Sequence, residues 1–243
     1  AQTAKHVIRQ GIREAERGQT LQEFQSKQQE LGTAKISSID PRTGNATVEI
    51  AHSEAILPKA EQVPGETLRE GEHVKVFVVD VRDSEKGPKI MISRTHSGLV
   101  KRLFEMEVPE IFDGTIEIKA ISREAGSRSK LAVYSKDENV DPVGACIGPR
   151  GARVAKIVDE LGGEKIDIVK YSEDPAAFIS EALSPANVVK VEPEEDGSHA
   201  CKVTVPDAQL SLAIGNKGQN ARLAAKLTGW KIDIRPESGF FGE

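Results

Sequence analysis

The sequence predicts an α+β multidomain chain: a leading helix, a small five-stranded β-barrel, then two tandem copies of one α-β-β-α-α-β unit. Three observations carry this expectation. Short apolar-polar alternations fill residues 31–96, separated by turn residues. The stretch Ile147-Gly148-Pro149-Arg150-Gly151 returns as Ile214-Gly215-Asn216-Lys217-Gly218. Each is followed by a helical stretch and a matching strand, Lys165-Ile166-Asp167-Ile168 and then Lys231-Ile232-Asp233-Ile234. The loops are offset by 67 residues (Ile147 to Ile214) and the strands by 66 (Lys165 to Lys231), so the copies differ by a single residue. An internal repeat of this kind says more than either motif alone.

Taken in order, residues 1 to about 30 read as a helix. Val7, Ile8, Ile12 and Ala15 fall near helical spacing among charged neighbours. The helix opens without a cap, which reads as a segment of a longer protein, and it serves as a connector in preference to a basic RNA-contacting face. Ala34, Ile36 and Ile39 then run into the turn Asp40–Asn45, with Val48 and Ile50 in alternation beyond it. Val74–Val81 and Lys89–Ser93 flank a second turn, Asp83–Pro88. Five short strands in about 65 residues suit a closed barrel of the OB kind, whose face commonly binds oligonucleotides. Phe77, the aromatic of these strands, is either a stacking platform or a core residue. Arg94 and His96 at the barrel's exit are candidates for phosphate or base contact, with an ordinary solvated surface as the alternative.

The repeat extends upstream of its loops. A helix-like stretch from Gly98 to Met106 precedes strands at about 115–123 and 130–135, joined by Gly126-Ser127. In the second copy a helix at about 174–183 precedes strands near 187–192 and 200–205, joined by Asp196-Gly197. This order is that of a type II KH domain. The expected boundaries are 1–20 for the connecting helix, 21–96 for the barrel, 97–173 for the first KH module and 174–243 for the second.

A GxxG loop between two helices suits the backbone of single-stranded RNA. Glycines let the sugar-phosphate approach closely. The following helix start offers N–H groups and the positive end of its dipole to a phosphate. Gly148, Pro149, Arg150 and Gly151 form one such loop, and Gly215, Asn216, Lys217 and Gly218 the other. Arg150 and Lys217 project toward the RNA. Arg153, Lys156, Gln219, Asn220 and Arg222 on the helices, with Lys165 and Lys231 on the strands, extend the path or are solvated. Ile147, Ile214, Ile168 and Ile234 are candidate groove walls or core. Asp substitutions at Gly148 or Gly215, or replacement of both middle residues of a loop by aspartate, are expected to weaken single-stranded RNA binding without unfolding. Trp230 reads as packing on a helix end in preference to a stacking platform, and the acidic run Glu192–Asp196 as a solvated turn.

Composition limits the other classes. Net charge is −5; residues 1–96 carry 14 basic and 14 acidic groups, so the deficit lies beyond them. RNA contact there must come from locally placed cations and not from a basic field. Cys146 and Cys201 are too few and too isolated for a disulfide framework or zinc site. No cofactor, metal or catalytic residue is expected. No apolar run approaches the roughly 20 residues that span a bilayer, and no signal peptide opens the chain. Location in a reducing cytoplasm is expected.

Several longer stretches carry a resemblance: Glu54–Pro58, Glu61–Glu66, Ser93–His96, Glu107–Ile111, Asn139–Gly148, Gln209–Gly215 and Lys226–Ile234. They resemble the RNA-binding core of the bacterial NusA family, over nearly the whole chain. The resemblance implies a non-catalytic transcription factor that grips the nascent transcript and modulates RNA polymerase pausing, termination and antitermination. It implies RNA polymerase as a partner through an N-terminal domain outside this chain, further transcription factors as possible partners, and a monomer. It departs at Ile36-Ser37-Ser38-Ile39, where the family's usual glycine and basic residues are absent, which puts the barrel's share of RNA binding in question. Two other readings stay open: the RNA-binding portion of an exoribonuclease-like processing enzyme, and a ribosome-associated structural protein.

Overall fold

In the computed structural model, residues 28–239 are described, together with Ala4 and Val7. The expected helix over residues 1–30 otherwise lies outside the described residues; Ala4 and Val7 are helical. The chain divides into two compact units, Ala1–Leu103 and Phe104–Glu243.

The first unit holds a closed barrel. Its strands are β1 (Leu31–Ile39), β2 (Ala46–Ile50), β3 (Ser53–Leu57), β4 (His73–Ser84) and β5 (Gly87–Ser93), in the order β1-β2-β3-β5-β4. All pairings are antiparallel except β3 with β5, which meet in parallel at Ile56 and Met91. Alternate residues point inward, as the pleat requires. Ala34, Ile36, Val48, Leu57, Val76 and Ile92 all lie in the barrel core. The register slips between Ile36 and Ser38 and again between Val78 and Asp80. Bulges of this kind bend a strand and help a small sheet close.

Helix α1 (Ser97–Glu107) and the short α2 (Pro109–Phe112) lead into the first repeat copy. It continues as β6 (Ile116–Glu124), β7 (Arg128–Ser135), α3 (Pro142–Ile147), α4 (Ala152–Glu160) and β8 (Lys165–Lys170). The second copy runs α5 (Pro175–Ala182), β9 (Lys190–Pro193), β10 (Ala200–Val205), α6 (Leu210–Ile214), α7 (Gln219–Thr228) and β11 (Lys231–Pro236). Both sheets have the same topology. The first two strands pair antiparallel, and the third joins the middle one in parallel. Asp141 and Asp174 cap α3 and α5, each followed by proline at the first helical position.

The two copies share a core. Ala132 and Val169 of the first pack with Phe178, Ile179, Leu183, Val203 and Leu227 of the second. Polar contacts cross between them as well. The Ser122 hydroxyl donates to the Leu223 carbonyl (2.8 Å), and the buried Lys130 ammonium, held by Asp167 of its own copy (2.9 Å), donates across to the Ser184 carbonyl (2.7 Å).

Candidate nucleic-acid interface

Both repeated loops adopt one backbone shape. Gly148 and Gly215 have φ/ψ of 77°/171° and 82°/172°. Arg150 and Lys217 occupy the left-handed region at 55°/28° and 53°/30°. Gly151 and Gly218 follow at 73°/14° and 75°/13°. Two loops with different middle residues therefore converge on the same dihedrals, including a left-handed conformation that residues with a Cβ rarely adopt.

The paired glycines have different jobs. A Cβ on Gly148 would lie 2.6 Å from Arg153 Cγ, and one on Gly215 would lie 2.6 Å from the Asn220 backbone nitrogen. The opening glycine thus lets the following helix close onto the loop. Beside Gly151 nothing lies within 4 Å, and beside Gly218 only Arg222 Nη1, at 3.9 Å. The closing glycine leaves open surface beside the loop. This corrects one expectation: aspartate at Gly148 or Gly215 would collide with the next helix. The exposed middle positions, Pro149, Arg150, Asn216 and Lys217, are where the loops can be altered without that collision.

A second correction concerns the helix starts. The Ala152 N–H closes onto the Pro149 carbonyl and the Gln219 N–H onto the Asn216 carbonyl, so these first amides are already engaged. No side chain caps α4 or α7. The positive end of each dipole is left without an internal counter-charge from a cap.

The basic residues fall into two groups. Arg150, Lys217, Lys165 and Lys231 are exposed, and among the described residues none of their side chains has an ion-pair or hydrogen-bond partner. Arg153 instead donates to Glu110 (2.9 Å) and the Ala145 carbonyl (2.8 Å). Lys156 lies 3.6 Å from Glu107. Arg222 donates through Nε to Glu124 (2.5 Å) and through Nη1 to the Lys217 carbonyl (3.1 Å). Gln219 donates to Glu124 (2.7 Å) and the Ser127 hydroxyl (2.6 Å). The Arg222 bond holds the Glu124 carboxyl below its ordinary range, against a smaller opposing effect of burial. The same bond raises the Arg222 guanidinium.

Ile147 and Ile214, directly before the loops, are 38% and 37% exposed, and Leu212, in the same helix as Ile214, is 43% exposed. Ile168 is half-buried. Ile234 is not a groove wall: it is 8% exposed and belongs to the shared core, because its strand turns that side toward α7 and β10. Asn220 is likewise internal. Its Nδ2 donates to the Leu183 and Ala213 carbonyls (3.1 and 2.9 Å), which ties α7 to the end of α6.

At the barrel's exit Arg94 departs from expectation. It is 1% exposed, its guanidinium is clamped on Glu66, and Nη1 donates to the Lys75 carbonyl (2.6 Å). In this partnership Arg94 is an internal charge and not the surface cation expected at the barrel's exit. His96 remains exposed, with its ring stacked on that of the buried Phe77 at 4.6 Å. Trp230 stacks on His199 at 4.8 Å and packs against the core beside α7. Burial pushes the Cys146 thiol up to about 12 and the Cys201 thiol up to about 11, so both are held protonated and unreactive. Among the described residues no His, Cys, Asp and Glu group could hold a metal ion, and no helix is long and apolar enough to cross a membrane.

Sequence reasoning missed Glu110, Glu124, Ser127 and Leu212. The carboxylates and Ser127 carry no local motif, and their partners lie 43 to 98 residues away.

A five-stranded barrel and two α-β-β-α-α-β units with matching GxxG loops define an OB-barrel, tandem-KH protein. Residues 94–171 match the model of the NusA-like first KH domain, and residues 175–240 that of the NusA-like second KH domain. The chain is 55% identical to the transcription termination/antitermination protein NusA of Halalkalibacterium halodurans, over 98% of this chain and 62% of that protein. With the Bacillus subtilis protein of the same name the identity is 53%, over 98% and 63%. With that of Mycobacterium tuberculosis it is 49%, over 98% and 70%. The chain belongs to the NusA family. It spans under two thirds of the length of the first two relatives.

Proposed function

We propose that this chain holds single-stranded RNA by its backbone at two GxxG loops, as the RNA-binding part of a non-catalytic transcription factor. In this reading it grips the nascent transcript and modulates pausing, termination and antitermination by RNA polymerase. One observation carries the proposal: two loops of one shape each present an exposed cation without a side-chain partner among the described residues, Arg150 and Lys217, beside open surface at the closing glycine. The uncapped starts of α4 and α7 and the exposed Ile147 and Ile214 add phosphate-attracting and base-packing elements. Lys165 and Lys231 prolong the cationic path. Arg153, Lys156 and Arg222 support the loops through their carboxylate partners.

The relatives' names support the transcriptional role, with RNA polymerase and other transcription factors as proposed partners, the cytoplasm as the proposed location and a monomer as the proposed state. The proposed boundaries remain 21–96 for the barrel, 97–173 and 174–243 for the KH modules. His96 is the barrel's remaining candidate contact.

The test replaces both middle residues of each loop, Pro149→Asp with Arg150→Asp and Asn216→Asp with Lys217→Asp. Aspartate tolerates the left-handed position better than most residues. Fluorescence anisotropy with labelled single-stranded RNA should show a loss of about tenfold or more for each loop. Affinity of the unaltered chain should fall with salt by a slope of about −0.7 per phosphate contact. Wild-type affinity in the four-residue variant would sink the clamp. RNA incubated with the chain and inorganic phosphate should keep its full length; shortening would support the processing-enzyme reading instead.

A further inference from the structure

We propose that Glu124, in the first KH module, is a positioning residue for the RNA-holding loop of the second module, acting through Arg222. The proposal rests on the clamp reading and adds a dependence of one loop on the other module. Glu124 ends β6, at the tip of the β6–β7 hairpin. One carboxylate oxygen accepts from Arg222 Nε (2.5 Å), and the other accepts from Gln219 Nε2 (2.7 Å). Arg222 Nη1 in turn donates to the carbonyl of Lys217 (3.1 Å), the left-handed residue of the second loop. A continuous set of bonds therefore runs from the first module's hairpin to the strained peptide that presents the second module's cation.

The hairpin is a firm anchor. Its turn is fixed by Glu164, which is fully buried and accepts from Arg123, the Gly126 N–H (2.7 Å) and the Ser129 hydroxyl (3.0 Å). The Ser127 carbonyl accepts from the Lys165 N–H (3.0 Å), which ties the turn to β8. Gln219 also reaches Ser127, so α7 is held at its first turn by two residues of the same hairpin.

The arrangement belongs to one loop only. Ala155 and Arg222 occupy matching places, each four residues past the closing glycine. Alanine has nothing with which to reach the Arg150 carbonyl. The two loops share dihedrals, but the second is braced from outside its own module. A merely decorative carboxylate beside an RNA loop would oppose binding by repelling phosphate. Its presence, shared between Arg222 and Gln219, is explained if the geometry it imposes outweighs that repulsion.

This gives the test an unambiguous sign. Glu124→Gln and Glu124→Ala are compared with the unaltered chain by anisotropy with a labelled single-stranded RNA of randomised sequence. The comparison is repeated with the first loop disabled (Pro149→Asp, Arg150→Asp) and with the second disabled (Asn216→Asp, Lys217→Asp). Positioning predicts that Glu124→Ala weakens binding by roughly three- to tenfold, although it removes a negative charge. The loss should persist with the first loop disabled and vanish with the second disabled. Hydrogen exchange should speed up at the amides of residues 216–222 while those of 150–155 keep their rates. Tighter or unchanged binding overturns the proposal, as does an equal loss when the second loop is disabled, which would mark a general folding effect. If disabling the loops leaves affinity unchanged, the clamp reading itself fails and takes the proposal with it. If the loop variants lose affinity and Glu124→Ala does not, only the positioning role falls.

Discussion

Positive φ is shared by both glycines of each loop, but their ψ values and their surroundings differ. Alanine at Gly151 meets open space, so it incurs only the left-handed penalty of about 1–2 kcal/mol. Alanine at Gly215 stands at φ/ψ 82°/172°, a region essentially reserved for glycine, so its backbone penalty is larger, and its Cβ also lies 2.6 Å from the Asn220 backbone nitrogen. Urea denaturation should therefore find Gly215→Ala less stable than Gly151→Ala by about 1 kcal/mol or more. Equal losses would mean that α7 can back away from the loop at little cost. Arg94 teaches a related lesson about side chains. An arginine at a strand exit reads as a surface cation, yet here the charge is internal, because Glu66 meets it and Lys75 supplies a carbonyl.

At the scale of elements, the strands and loops were legible because their determinants are local. Period-two alternation marks β1, β2, β4 and β5, and the glycine spacing marks the helix–loop–helix turns. β10, expected near 200–205, spans Ala200–Val205. β9, expected near 187–192, forms at Lys190–Pro193, leaving the preceding Val189 half exposed. The β6–β7 hairpin shows what was not legible. Arg123 and Glu164 lie 41 residues apart, and Glu124 and Arg222 lie 98 apart. Nothing in either local pattern distinguishes these charges from solvated ones, and Ile234 likewise resembles Ile214 until the fold buries it. Replacing Glu164 by alanine removes the carboxylate to which Arg123, Gly126 and Ser129 donate. Breaking a buried ion pair in this way should lower stability by about 3–5 kcal/mol in chemical denaturation. A loss below 1 kcal/mol would show that water reaches the turn and replaces the carboxylate.

At the scale of the molecule, the tandem modules are one folding unit. Phe178 packs with Ala132 and Val169 of the first module as well as with its own, and its ring meets Tyr171 at 5.0 Å. Phe178→Ala should lower stability by about 3 kcal/mol or more. Hydrogen exchange should then quicken in β7 and β8 together with β10, since the core is common to all three. Two separate unfolding transitions would contradict this. The common core also alters how affinity should build. If both loops hold RNA as proposed, two grips carried on one body act as a bivalent reader: once the first has captured a strand, the second meets that strand at a high effective concentration. Affinity should then rise in a step when the RNA becomes long enough to reach both grips. On that proposal either grip could let go briefly while the other retains the strand, which would suit a reader of a chain that is still growing.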